Sequence, residues 1–201
     1  MTEPMRTIES GLKTPNAQTD SKLFRLPAEL RNEIYAFALG GNTWSINMTE
    51  GKPRANNASP HALALLQVNR QIYAEARLFP YLYSTFEGRH NGHLRIWVQS
   101  LTHVQRKSIT SVKYHQRSYI TEGVCGLSVS PIFWMDTPNM EQWDLEGLKR
   151  IEIEVVLHKW GWNSNEEETK KVRARALSKL RVLVEIEHPG IEVDIVSKCG
   201  Y

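Results

Sequence analysis

The sequence predicts an α/β (or α+β) chain in which N-terminal helices pack on a mostly parallel sheet of about four strands with helices of its own. Three observations carry that prediction. Residues 148–158 alternate Ile151, Ile153, Val155 and Leu157 with Glu152, Glu154 and Val156, the period of a strand buried on one face. Two stretches place apolar residues at helical spacing: Leu94, Trp97, Val98 and Leu101, then Val172, Ala176, Leu180 and Leu183. From residue 82 onward the segments run strand, helix, strand, irregular stretch, strand, helix, strand, the alternation that yields parallel strands with helical crossovers.

Taken in order, residues 1–20 are rich in Thr, Ser, Pro, Asn and charge without periodicity, and are expected to form a disordered leader with no targeting pattern. Residues 21–87 form a helical module. Pro27 suits the first helical position, where its missing N–H costs nothing, and Gly40-Gly41 supplies the stop. Leu30, Ile34, Phe37 and Ala38 fall on one face of that helix, which is expected to be buried. A second helix is expected from Ser59 as N-cap, with Pro60 in its first turn, to Pro80, burying Leu65, Val68, Ile72, Ala76 and Phe79. Between the two helices, Trp44, Ile46 and Met48 alternate as a strand does.

Within this module Phe24-Arg25-Leu26-Pro27-Ala28-Glu29-Leu30-Arg31-Asn32-Glu33-Ile34-Tyr35 is followed by a segment containing Arg70-Gln71-Ile72 with Glu75-Ala76, and then by Leu82-Tyr83-Ser84-Thr85-Phe86. These three pieces together resemble the fungal F-box-like domain proteins. The resemblance implies a protein-interaction module whose partners are the adaptor subunit of a cullin-RING ubiquitin ligase and a client protein. It assigns Leu26, Pro27, Leu30, Ile34, Val68, Arg70 and Ile72 to the adaptor-facing or core-stapling surface. One departure is visible: about twenty residues, 40–59, separate the two helices where an ordinary F-box has a short turn.

Residues 88–201 are expected to form an α/β layer packed on the module as one unit. Leu82–Phe86 reads as its first strand, 92–105 as a helix, and 109–115 as a strand facing Thr110, Val112 and Tyr114 one way. Residues 116–139 are punctuated by Gly123, Gly126, Pro131 and Pro138, and read as a long excursion with a hairpin of its own. The last helix opens with a capping box, Ser164 and Glu167, and residues 191–196 close the sheet. Ile109-x-x-Val112-x-Tyr114 recurs as Leu148-x-x-Ile151-x-Ile153 and again near Val193 and Ile195. The second copy, preceded by Leu145, suggests a truncated leucine-rich-repeat-like layer.

Composition excludes several function classes. The 201 residues are 41% hydrophobic and 23% charged with a net charge of +3, ordinary globular values without the cation density of a dedicated nucleic-acid binder. No apolar run reaches the roughly 18 residues that span a bilayer, so no membrane partner is expected and the chain reads as intracellular, cytoplasmic or nuclear. Cys125 and Cys199 then read as free thiols, and the acceptor patterns at Asn47 and Asn57 as chance. No phosphate loop, nucleophile elbow or metal-ligand spacing occurs, so neither enzymatic activity nor a cofactor is expected. Cys125 with His115, and Glu152 with Glu154, pair chemistry-bearing residues, but a spectator cysteine and a solvated strand face account for them better.

Two binding surfaces stand out. In a parallel sheet the carboxyl ends of the strands gather on one edge, where partners dock, bringing His158, Trp160 and Trp162 into an edge loop. The alternative is a nucleic-acid surface on Arg106, Lys107, Lys113 and Arg117, flanked by Tyr114 and Tyr119. Acidic residues are as frequent elsewhere, so nucleic acid ranks below a protein partner.

Overall fold

The computed structural model describes residues 21–49, 52–57, 59–88, 91–123, 126–130, 143–160 and 166–200. The expected leader, Ser164, Trp162 and most of the excursion beyond residue 130 lie outside them. Among the described residues the helices are α1 (Ala28–Leu39), α2 (Leu65–Val68), α3 (Arg70–Ala76), α4 (Phe79–Tyr83), α5 (Asn91–Ser100), α6 (His103–Ser108) and α7 (Glu166–Glu187). The strands are β1 (Thr43–Thr49), β2 (Lys52–Asn56), β3 (Thr85–Gly88), β4 (Ser111–Gly123), β5 (Gly126–Ser130), β6 (Arg150–Trp160) and β7 (Glu192–Gly200).

The chain is α/β, and its sheet is larger than the four strands expected. The order is β2-β1-β3-β4-β6-β7, with β5 paired to β4. β1, β3, β4, β6 and β7 are mutually parallel, and the β1–β2 and β4–β5 hairpins supply the antiparallel pairs. The inserted Trp44 segment is therefore a full member of the sheet, which runs through the expected boundary at residues 87–88. The three spaced apolar pairs stand side by side: Val112 opposite Ile151 opposite Val193, and Tyr114 opposite Ile153 opposite Ile195.

That lateral stacking makes one apolar face. Trp44, Ile46, Phe86, Val112, Tyr114, Ile151, Ile153 and Val155 are buried in one cluster with Leu94, Trp97 and Val98 of α5 and Leu180 and Val184 of α7. The crossover helices α5 and α7 cover the same face, the arrangement that right-handed crossovers give when strands are added in sequence order. Leu145 and Leu148 are buried here too, with Trp143. A second, smaller core joins Tyr35 and Leu39 of α1 to Ile72 and Ala76 of α3.

Several element boundaries differ from expectation for local reasons. Pro27 is the N-cap of α1, in extended geometry, and its carbonyl accepts the first helical bond from Arg31 N at 3.1 Å. The expected second helix is three helices. Asn69 is extended (φ −154°, ψ 142°) and its side chain accepts from Gln71 N at 2.6 Å, which ends α2 and caps α3. Pro80 sits in the first turn of α4 and opens that helix instead of closing the previous one, so Leu82 and Tyr83 are helical and β3 begins only at Thr85. The helix expected over residues 92–105 breaks at Thr102, whose capping box with Gln105 starts α6. β4 runs on to Gly123 and turns into β5, the hairpin foreseen in the excursion.

Expected burial on α1 is reversed. Leu30 is 46% exposed, Ile34 40% and Phe37 94%, while Tyr35 and Leu39 are fully buried. At about 3.6 residues per turn, Arg31, Tyr35 and Leu39 share one side and the three apolar residues the other. Val68 and Leu183, placed in buried stripes by their spacing, are likewise exposed, and Val184 takes the inward position on α7.

Gly147 tests how tightly the loop before β6 is seated. A Cβ there would lie 2.0 Å from the Lys107 carbonyl oxygen. Gly147→Ala is expected to destabilise the fold by about 2 kcal/mol and lower the melting temperature by roughly 4–8 °C, read by thermal denaturation.

Candidate functional site

Strand alternation that buries Val112 and Ile151 necessarily turns their neighbours outward on the other face. Glu87, Lys113, His115, Glu152 and Glu154 stand on three adjacent strands there, with Glu87 opposite Lys113, Lys113 opposite Glu152, and His115 opposite Glu154. Lys113 Nζ lies 2.5 Å from Glu152 Oε1 and 3.5 Å from Glu154 Oε2. His115 is placed between two carboxylates, Nε2 2.5 Å from Glu87 and Nδ1 3.3 Å from Glu154. An imidazolium donates to both, a neutral ring to only one. Lys198 Nζ reaches Glu154 Oε2 at 2.9 Å from β7.

Glu154 is the hub of this network, and its side chain is only 9% exposed. Burial opposes its ionisation, yet the Lys198 hydrogen bond and the charges of His115, Lys198 and Lys113 outweigh that and hold the carboxyl below its usual range. Lys113 behaves in mirror image: burial disfavours its ammonium, but the Glu152 hydrogen bond and the Glu152, Glu154 and Glu87 charges raise its pKa. The face continues through Thr85 and Ser111, whose hydroxyls are 3.1 Å apart, and Arg150 with Asp194 at 3.4 Å. Each acid of this centre has a basic partner within reach, so it suits recognition through oriented polar groups better than proton transfer by a free base.

The helical module offers a surface of a different kind. Arg31 binds Glu75 through two bonds, Nε to Oε2 at 3.0 Å and Nη2 to Oε1 at 3.1 Å. Tyr35 donates to Glu75 at 2.9 Å, Gln71 donates to it at 3.0 Å, and Arg31 Nη1 donates to the Leu26 carbonyl at 2.8 Å. The Arg31 and Gln71 hydrogen bonds hold the Glu75 carboxyl below its usual range against a smaller cost of burial. Tyr35 stacks edge-on against Phe79 at 5.9 Å. α1 is thus pinned on its Arg31, Tyr35 and Leu39 side, and Leu30, Ile34 and Phe37 point away. Of the residues assigned to the interaction surface, Ile72 is buried and Leu26 half-buried, whereas Pro27, Leu30, Ile34, Val68 and Arg70 are exposed. Sequence reasoning did not single out Arg31, Tyr35 and Glu75, because α1 also carries Glu29 and Glu33 and α3 also carries Arg70, so nothing in the sequence marked this pair among the other charges.

The described basic positions of the expected nucleic-acid surface are each paired with acidic side chains. Arg106 and Lys107 belong to α6, where Arg106 binds Asp144 at 3.3 Å and Lys107 binds Glu146 at 2.7 Å. Asp144, in the left-handed region at φ 56°, also takes His103 at 2.6 Å. Lys113 is committed to Glu152 and Glu154 on the open sheet face. The Arg117 side chain lies outside the described residues. At the carboxyl edge, the backbones of Tyr119, His158 and Gly200 come into neighbouring register, as a parallel sheet requires. The side chains of His158 and Trp160, and the whole of Trp162, lie outside the described residues.

No group of three or more His, Cys, Asp or Glu side chains that could hold a metal ion occurs among the described residues, and no described helix is long and apolar enough to cross a membrane. No protein-family model, no curated protein and no solved structure matches this chain.

The charge network carries a pH signature. Glu154 has a folded pKa below its reference of 4.5, so its stabilisation is complete above that value and lost as pH falls through the folded pKa. Glu154→Gln is expected to cost about 2 kcal/mol at neutral pH and to flatten the loss of stability that sets in as pH falls below the reference value of 4.5, measured by urea denaturation across pH. An unchanged acid limb would show that the carboxylate is not coupled to its three cations.

Proposed function

We propose that this chain is an F-box-like protein-interaction module that joins the adaptor subunit of a cullin-RING ubiquitin ligase through α1. The observation that carries the reading is the exposed apolar stripe of Leu30, Ile34 and Phe37 on a helix anchored from its other side. Scattered exposed apolar residues are ordinary, but three at i, i+4 and i+7 on one rigid helix are what a helix presents to a groove. Phe37 is the natural anchor, since 94% of it meets water in the isolated chain. Leu26 and Pro27 set the approach angle of α1, because the Leu26 carbonyl is tied to Arg31. Client recognition is assigned to the carboxyl edge of the sheet around His158, Trp160 and Trp162, and to the polar face beside it.

The test uses the full chain and a purified adaptor subunit in isothermal titration calorimetry. Micromolar or tighter binding is expected, and Phe37→Asp and Ile34→Asp are each expected to weaken it at least tenfold, or about 1.4 kcal/mol, with little effect on the melting temperature. Absence of binding at about 100 μM overturns the reading, as does a Phe37→Asp, Ile34→Asp double variant that binds as the parent does.

A further inference from the structure

Apart from the α1 stripe and the polar sheet face, the helices α2 to α6 meet the sheet around a cavity of about 550 Å3. That is within the roughly 300–1,000 Å3 of small-molecule sites. One wall is a row of rings: Phe86 is stacked 4.6 Å from Trp97 and 5.7 Å from Tyr81 between centroids. Leu63, Leu66, Leu78, Pro80 and Val104 complete the described apolar lining.

Several polar groups of the described lining can donate, and none carries a negative charge. Trp44 is 6% exposed, and its buried indole Nε1 has no hydrogen-bond partner among the described residues. A buried donor left unpaired is costly and calls for an explanation. Tyr81 accepts from Gln105 Nε2 at 3.0 Å, which leaves its hydroxyl proton to donate elsewhere. Burial, followed by the nearby Tyr73, pushes the Tyr81 pKa up, so the phenol stays protonated at neutral pH. Gln105 has no acceptor to spare, because Oε1 already takes Thr102 N and Thr102 Oγ1, both at 2.9 Å. Arg77 has no ion pair among the described residues, and no described Asp or Glu lines the cavity.

An apolar chamber with an uncompensated guanidinium and an orphan buried donor is built for an anion with an apolar body. We infer that this cavity binds a small aromatic carboxylate, its ring against the Tyr81, Phe86 and Trp97 wall and its carboxylate meeting Arg77 and the remaining donors. The guanidinium, itself exposed, supplies charge-assisted hydrogen bonds to the carboxylate, while the rings shelter the apolar body of the ligand from water.

The experiment titrates the full chain with 2-naphthoate, and separately with its neutral counterpart 2-naphthalenemethanol, by calorimetry and by NMR of the indole N–H resonances. The expected dissociation constant for the acid is on the order of 10–100 μM, from the affinity per atom of ligands this size. The alcohol is expected to bind about tenfold more weakly, and the Trp44 indole resonance, assigned with Trp44→Phe, to shift with the acid. Arg77→Gln, at an exposed position, should weaken the acid about tenfold and abolish its advantage over the alcohol. This variant keeps the test decisive even where Trp44→Phe does not fold. No saturable binding below about 1 mM, equal affinity for acid and alcohol, or an Arg77→Gln variant that binds 2-naphthoate as the parent does would each overturn the inference.

Discussion

The parallel pairing of β4 with β6, from Ser111 opposite Arg150 to Thr121 opposite Trp160, is the constraint on which the rest depends. Because side chains alternate with a period of two, one register decides both faces at once. It aligns Val112 with Ile151 and Tyr114 with Ile153 as the floor of the core, and in the same step sets Lys113 beside Glu152 and His115 beside Glu154. A slip by one residue would bury the charges and expose the floor. The ion-pair network and the hydrophobic core are two consequences of one pairing, with β3 and β7 extending both outward.

The two faces then take different partners. The apolar face is covered by α5 and α7, and where the short helices meet Trp44 and Phe86 the cavity forms. The opposite face keeps its charges half-buried and mutually neutralised. Such pairs contribute modestly to net stability, since desolvation offsets much of their attraction, but removing one member leaves its partners uncompensated. Their clearer effect is on register, because a carboxylate facing two lysines and an imidazole tolerates few alternatives.

In the helical module, polarity overrides hydrophobic spacing. The apolar positions of α1 define a face at Leu30, Ile34 and Phe37, yet the helix packs by its Arg31, Tyr35 and Leu39 side. The two-bond Arg31–Glu75 pair, with Tyr35 and Gln71 on the same carboxylate, satisfies groups that could not be left unpaired at that half-buried contact. Apolar residues on the outer side are tolerated in water at small cost, whereas an isolated buried charge is not. This asymmetry explains why a periodicity argument chose the wrong face there while the same argument succeeded on α5, where Leu94, Trp97 and Val98 are all inward.

Local chemistry was legible wherever neighbouring residues settle it. Alternation in 148–158, the stripe of α5, the strand at Trp44, the hairpin near Gly123 and the parallel order of the later strands all follow from patterns a few residues long. Two breaks were written just as locally and overlooked: Asn69 capping α3 and the Thr102–Gln105 box capping α6. Only tertiary structure decided which carboxylate meets which cation, because Glu87, His115 and Glu154 are brought together by strand order across residues far apart in the chain. The same holds for α1, whose inward side depends on Glu75 from a helix more than forty residues away, and for the cavity, whose walls come from β1, β3 and the helices α2 to α6. Sequence patterns determine what each segment buries or exposes in isolation; which partner satisfies a charge is a property of the assembled fold, since electrostatic and packing energies depend on distances that chain order does not contain.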